Sequence, residues 1–194
     1  MIVIGVGCGP GMMTEEAMRE LAKARYVYGS KRSVELAQGH LRKGATVVLV
    51  EDYAALNEVP EKVVLLSMGD PMLAGLGRRA HKVIPGISSM QAAYARLRAP
   101  LENTVIMSAQ GKYYSIALKN AADEVIRGRN VFLLADPTFS VGELAAKLAL
   151  ASPDCRIAVC ERLGYPDERV QIGTALNPPE TKTDLFVVIA GDWA

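Results

Sequence analysis

Short β-branched runs alternate with helical patterns from one end of the chain to the other, and that alternation restricts the fold more than any other feature. Strands are predicted over residues 2–6, 26–28, 46–50, 63–67, 83–84, 104–107, 130–134, 156–160, 169–172 and 185–190. Apolar runs such as 63–66, 131–134 and 185–190 are four to six residues long, far below the roughly 20 needed to span a bilayer, and read as buried strands. A helix is predicted over 14–24, with Glu15 and Glu16 in its positively polarised first turn. Two more helices carry start signals. Ser88 with Gln91, and Ser140 with Glu143, have the spacing at which a hydroxyl caps a backbone amide and the third residue reaches back. Each is followed by one apolar stripe: Met90, Ala93, Tyr94 and Leu97 in the first, Val141, Leu144, Ala145 and Leu148 in the second. The pattern is that of βαβ units, so the fold class is α/β with mostly parallel or mixed sheets flanked by helices. The segment Arg98-Ala99-Pro100-Leu101-Glu102-Asn103 breaks the helical pattern after Leu97, which divides the chain into an α/β half over 1–103 and a second over 104–194. A cleft between two such halves is a common place for a small-molecule site.

Composition narrows the function classes. With 22 Lys and Arg against 21 Asp and Glu, the formal charge is +1, so no global field recruits nucleic acid or an anionic membrane, and an acidic ligand must meet a local patch. Three cysteines with no CxxC pair argue against a disulfide framework or a zinc site and favour a reducing, cytoplasmic setting. The two histidines, His40 and His81, lack metal-ligand spacing, so no metal is expected. The first residues enter a strand and a glycine loop directly, without the basic region of a signal peptide.

Three loops at predicted strand ends could carry chemistry. The first, Gly5-Val6-Gly7-Cys8-Gly9-Pro10-Gly11, lets backbone bend sharply and approach a ligand closely. It is not the dinucleotide fingerprint, because the sixth position is Pro10 counted from Gly5 and Met12 counted from Gly7, and no Gly-Lys-Ser/Thr follows to make a P-loop. The second is Ser67-Met68-Gly69-Asp70-Pro71, followed by the glycine-spaced 72–77. Asp70 there either caps the next helix, with Pro71 at its first position, or faces a ligand. The third, Pro85-Gly86-Ile87-Ser88-Ser89, joins a strand to a helix start and offers free amides and two hydroxyls. Carboxyl ends of parallel strands are where open α/β sheets bind ligands. The basic run Arg78, Arg79, His81 and Lys82 is either a solvated face or a docking patch for a polyanionic small molecule.

Taken in order, these three loops and Glu161-Arg162-Leu163-Gly164-Tyr165-Pro166-Asp167-Glu168 resemble the tetrapyrrole methylases over essentially the whole chain. The last segment is most similar to the carbon-5 methyltransferases of the cobalamin pathway, which act on cobalt-precorrin-7 or precorrin-6Y. The resemblance implies an S-adenosyl-methionine-dependent C-methyltransferase of two α/β domains, a homodimer, with the cofactor folded into the cleft. Matched by motif, Gly9 and Pro10 would lie beside the tetrapyrrole or cofactor. Gly69, Asp70 and Leu73 would line the cofactor, and Ser88 and Ser89 would hold it. Ala135, Leu163 and Gly164 fall where the family completes that pocket. Asp70 would position rather than act as a base. Gln110, in Ser108-Ala109-Gln110-Gly111-Lys112, stands where relatives often have a histidine and could keep a hydrogen-bonding role in catalysis. The segment 69–75 also lacks an aromatic residue often found before the second glycine. Arg78, Arg79, Lys82 and Lys112 are candidate anchors for the substrate's carboxylates. Some relatives carry a fused carbon-15 methylase and decarboxylase; a chain of this length leaves no room for it and implies a separate partner enzyme. Other readings keep the fold and change the acceptor to another precorrin carbon, uroporphyrinogen III or a diphthine-type substrate, or keep the cleft without the reaction.

Overall fold

The computed structural model describes residues 1–51, 53, 62–73 and 76–193, with the side chain of Arg79 outside the description. The chain divides into two compact units, Met1–Ser89 and Met90–Ala194.

In the first unit the elements run β1 (Ile2–Gly5), α1 (Glu15–Leu21), β2 (Tyr26–Gly29), α2 (Lys31–Ala37), β3 (Thr46–Leu49), β4 (Val63–Ser67) and β5 (Lys82–Ile84). The strands form one sheet in the order β3-β2-β4-β1-β5, and every pairing is parallel. Central β1 and β4 are almost wholly apolar and buried, the pattern of central strands in a parallel sheet. Ile4 lies in register with Leu66 and Ile84, and all three are fully buried with Leu21 of α1 and Val27 of β2. Helix α1 starts where Thr14 Oγ1 accepts the Ala17 amide at 3.2 Å, and Ser30 caps α2 in the same way through the Ser33 amide.

The second unit holds α3 (Ser89–Leu97), β6 (Thr104–Ser108), α4 (Tyr114–Ile126), β7 (Asn130–Leu134), α5 (Val141–Ala149), β8 (Arg156–Glu161), β9 (Arg169–Thr174) and β10 (Phe186–Gly191). The division between units thus falls after Ser89, the first residue of α3, and the segment 98–103 lies within the second unit. The reason is packing: Tyr94 is 1% exposed and its hydroxyl accepts a hydrogen bond from Thr104 Oγ1 at 3.0 Å, which ties α3 to β6. Burial of that phenol raises its pKa. The chain does turn sharply where predicted, with Arg98 and Asn103 both in the left-handed region at φ 52° and 58°.

The second sheet runs β6-β7-β10-β8-β9. Only β6 and β7 are parallel; the other three pairings are antiparallel, so this sheet is mixed rather than mostly parallel. The connections 162–168 and 175–185 contain no helix, and a parallel return needs a crossover of a dozen or more residues, usually helical. The predicted stripe of α5 is realised, with Val141, Leu144, Ala145 and Leu148 all buried. Its cap is realised too: Ser140 Oγ accepts the Glu143 amide at 3.2 Å. Ser140→Ala is expected to cost about 1 kcal/mol and to lower the melting temperature by roughly 2 to 4 °C, read by thermal denaturation.

Cys8, Cys155 and Cys160 form no disulfide, and burial pushes the Cys160 thiol up to about 12, so it stays protonated and inert. Among the described residues no helix is long and apolar enough to cross a membrane, and no cluster of three metal-ligating side chains occurs.

Candidate functional site

Three adjacent strands of the first sheet, β4, β1 and β5, end at glycines that touch backbone to backbone. A methyl group added at Gly86 would lie 2.5 Å from the Gly69 carbonyl oxygen and 2.7 Å from the Gly5 carbonyl. One added at Gly5 would overlap the Gly86 nitrogen and come within 2.6 Å of the same Gly69 oxygen. The loops beyond are laced together by main-chain bonds. Gly7 and Gly69 exchange amide and carbonyl at 3.2 and 2.9 Å, the Cys8 amide donates to Ile87, and the Ile87 amide donates to Met12. Gly7 and Gly69 both have positive φ, 80° and 60°, which only glycine adopts freely. The Thr14 hydroxyl adds a bond to the Pro85 carbonyl at 3.1 Å, so the cap of α1 also fixes the third loop.

This junction brings Gly69, Ser88 and Ser89 together, with the first loop tied to them by the main-chain bonds. Gly9 is buried and Pro10 exposed in the first loop. Gly69 lies in van der Waals reach of Ser88 and Ser89: its missing Cβ would sit 3.7 Å from Ser88 Cα. Ser88 is buried and Ser89 opens α3. Asp70 is half-buried. Its Oδ1 accepts the Met72 amide at 2.8 Å and its carbonyl accepts the Leu73 amide, so it fixes a tight turn instead of capping an α-helix. A 3-10 turn, Leu76–Arg79, follows and carries exposed Arg78. Ala74 and Gly75 of the glycine-spaced run lie outside the described residues, as does the Arg79 side chain. Lys82 is not at this edge: it begins β5, pairs in register with Ile2, and lies 3.5 Å from Glu16 of α1. His81 is exposed, with Nδ1 2.8 Å from the chain's amino terminus.

The second unit gathers its own set at the carboxyl ends of β6, β7 and β8. The Gln110 amide nitrogen lies 3.3 Å from the Ala135 carbonyl, which it reaches as donor. Next to it, Asp136 accepts the Gly111 amide at 2.8 Å and the Thr138 hydroxyl at 2.5 Å. Those bonds, the hydroxyl's first, hold its carboxyl below the usual range. Lys112 stands exposed with its ammonium 5.3 Å from the Tyr113 ring centre. In the turn after β8, Leu163 is buried and Gly164 adopts φ 82°. The Gly164 amide is already committed to Glu168 at 2.6 Å, and Glu168 also accepts from Arg96 Nε at 2.6 Å. Burial would raise the Glu168 pKa, but Arg96 and that amide outweigh it and hold the carboxyl below its ordinary value. Arg162 lies over the Tyr165 ring at 4.7 Å and 2.6 Å from Asp167.

Sequence reasoning missed Glu161. The side chain is fully buried at the end of β8, where it accepts the Lys182 and Thr183 amides at 2.6 and 2.7 Å and Arg169 Nε at 2.5 Å. Burial acts to raise its pKa, but the two amides and the guanidinium prevail and hold it low. Glu161 therefore anchors the 175–185 connection beside the candidate turn. The signal was present as a lone carboxylate ending an otherwise apolar strand. Tyr165 was also unassigned; its hydroxyl is buried and, among the described residues, has no hydrogen-bond partner.

The donor set suits S-adenosyl-methionine. A backbone junction free of side chains admits close approach, and Asp70, Ser88 and Ser89 are hydrogen-bonding groups of the kinds that its hydroxyls, amine and ring nitrogens need.

Comparison with known proteins agrees. The chain is 29% identical over 185 residues to the probable cobalt-precorrin-7 C(5)-methyltransferase of Methanocaldococcus jannaschii, covering 86% of each. It is 28% identical over 185 residues to the cobalt-precorrin-7 C(5)-methyltransferase of Salmonella typhimurium, covering 88% of each. The crystal structure of the cobalamin biosynthesis precorrin-6Y methylase from Archaeoglobus fulgidus superposes with a TM-score of 0.75 at 26% identity, covering 98% of this chain and 97% of that one. Residues 1–177 match the family described as Tetrapyrrole (Corrin/Porphyrin) Methylases. With the glycine junction, the two sheets and this match in agreement, the chain belongs to the tetrapyrrole methylases, a family of S-adenosyl-methionine-dependent methyltransferases.

Proposed function

We propose that this protein methylates carbon-5 of a corrinoid precursor, cobalt-precorrin-7 or precorrin-6Y, in cobalamin biosynthesis. The observation that carries the reading is the backbone junction of Gly5, Gly69 and Gly86, which clears one sheet edge of side chains beside Asp70, Ser88 and Ser89. The names of the relatives supply the acceptor. In this reading Gly69, Asp70, Leu73, Ser88 and Ser89 hold the cofactor from the first unit, and Ala135, Leu163 and Gly164 complete its pocket from the second. When bound, S-adenosyl-methionine supplies a sulfonium methyl with its leaving group already attached. The chain's task is therefore alignment, holding the acceptor carbon about 3 to 3.5 Å from that methyl. Asp70, braced by the Met72 amide, is a positioning group, and Gln110, braced on Ala135, hydrogen-bonds the macrocycle. Gly9 and Pro10 flank it. Arg78 and Lys112 are the better anchors for its carboxylates, because Lys82 is engaged with Glu16. The active form is a homodimer, and a separate enzyme carries out carbon-15 methylation and decarboxylation.

Titration calorimetry with S-adenosyl-homocysteine and, separately, NADH tests the cofactor. Binding on the order of 1 to 100 μM at one site per chain, with none for NADH, is expected. Turnover of cobalt-precorrin-7 to a product methylated at carbon-5 then fixes the acceptor. Methylation of uroporphyrinogen III or of a diphthamide precursor instead would overturn it.

A further inference from the structure

The opposite edge of the first sheet carries a second concavity with a different chemistry. Ile2, Tyr26 and Val63, the first residues of β1, β2 and β4, line a cavity of about 450 Å³ with Ala24 and Val64 as further apolar lining, and Glu20, Lys23, Arg25, Lys62 and His81 complete it. Beside it lies a polar cavity of about 250 Å³, lined by Arg25, Tyr26, Arg42, Lys43, Gly44 and Thr46. The two share Arg25 and Tyr26. Together they form a surface with an apolar compartment, a tyrosine 48% exposed at the junction, and a cationic compartment.

The cationic half is built rather than incidental. The Ala45 amide donates to the Arg42 carbonyl at 3.0 Å, closing a turn through Gly44 at φ 78°, and the Thr46 amide donates to the Arg25 carbonyl at 2.8 Å. The parallel pairing of Tyr26 with Thr46 then fixes Arg25 beside the Arg42-Lys43 turn. Among the described residues, none of Arg25, Arg42 and Lys43 has a carboxylate within 4 Å, and the one acidic side chain lining either cavity, Glu20, is paired with Lys23 at 2.8 Å. In a chain whose formal charge is only +1, this is, among the described residues, a local concentration of positive charge with no carboxylate paired to it. Like charges held together repel, and an anionic ligand relieves that repulsion.

We propose that this edge is a second ligand site, taking a nucleoside diphosphate: the ring system lies in the apolar cavity against Tyr26, and the phosphates meet Arg25, Arg42 and Lys43. The larger cavity falls within the usual size for small-molecule sites. An aromatic face beside guanidinium groups suits a flat base joined to an anion. The site is separate from the glycine junction, because it lies at the amino ends of the strands whose carboxyl ends form that junction.

ADP binding, measured by calorimetry at low salt on the full chain, tests this. Binding with a Kd on the order of 10 to 500 μM that persists in saturating S-adenosyl-homocysteine is expected. The exposed double substitution Arg42→Ala with Lys43→Ala should weaken it about tenfold or more, and Tyr26→Ala should weaken ADP but leave inorganic pyrophosphate unchanged. Absence of ADP binding up to about 5 mM, displacement by S-adenosyl-homocysteine, or an unchanged Kd in the double variant would each overturn the proposal. So would tighter binding of single-stranded RNA than of ADP at the same residues.

Discussion

Gly86→Ala is expected to abolish detectable binding of S-adenosyl-homocysteine and to lower methyl transfer about a hundredfold or more. The added methyl would sit 2.5 Å from the Gly69 carbonyl oxygen and 2.7 Å from the Gly5 carbonyl carbon and oxygen. All of these are backbone atoms at or just beyond the ends of neighbouring strands, so no rotamer change relieves the overlap. The strand ends must splay, which moves Gly69, Asp70 and Ser88 together. Overpacking of this kind costs about 1 to 3 kcal/mol in stability, so the variant should still fold at 25 °C while losing the site. Gly142→Ala is the matched control. Its Cβ would meet only Ser140 Oγ, at an ordinary 3.7 Å inside α5, so it should leave binding unchanged and stabilise the chain by about 0.5 to 1 kcal/mol. Calorimetry and thermal denaturation on the two variants read the contrast. Unaltered cofactor affinity in a folded Gly86→Ala protein would remove the glycine junction from the site.

Glu161→Ala is the second large effect, and it acts on stability. The substitution leaves the Arg169 guanidinium and the Lys182 and Thr183 amides facing a cavity where a carboxylate had satisfied them. Removing one partner of a buried, hydrogen-bonded ion pair costs about 3 to 5 kcal/mol, which for a chain of this size lowers the melting temperature by roughly 10 °C. The loss depends on pH with a definite sign. Folding lowers the Glu161 pKa, so its contribution is complete above the ordinary glutamate value of about 4.3 and fades as pH falls through the lower folded value. The stability gap between the parent and Glu161→Gln should accordingly be widest near neutral pH and close in acid. A gap that stays constant from pH 7 to about pH 3 would show that the carboxylate's charge contributes nothing.

Much of this was legible in the sequence because it rests on local rules. Among the described residues all ten strands answer to β-branched runs, and the Ser140 cap and the α5 stripe answer to spacing alone. Helix α2 left no comparable pattern: its Lys31–Ala37 span has only two buried residues, Ser33 and Ala37, too few to make a stripe. The glycine loops could be read as close backbone approaches, yet which backbones approach which depends on the strand order β4-β1-β5, a non-local property. The direction of β8, β9 and β10 was hidden for the same reason. Their apolar runs look like those of parallel strands, and only the helix-free connections between them reveal the reversal. Lys82 shows the limit of reading charge in runs. It stands three residues after Arg79, but β5 begins there, which carries it to the far end of the sheet and into the field of Glu16. Glu161 showed in the sequence only as a carboxylate after an apolar run; its role was hidden because its partners are two loop amides and an arginine eight or more positions away.

The placement of β10 has a consequence for biosynthesis. Of the strands of the second sheet, the last to leave the ribosome is the middle one, β10, between β7 and β8, and all six of its residues are buried. Until Phe186–Gly191 emerges, the nascent second unit exposes two open, apolar strand edges with nothing of its own to close them. The first unit has all five of its strands from Ile84 onward and faces no such wait. Chaperone demand and aggregation during synthesis should therefore fall on the second unit, with the whole interval from Glu161 to Phe186 as the exposed window.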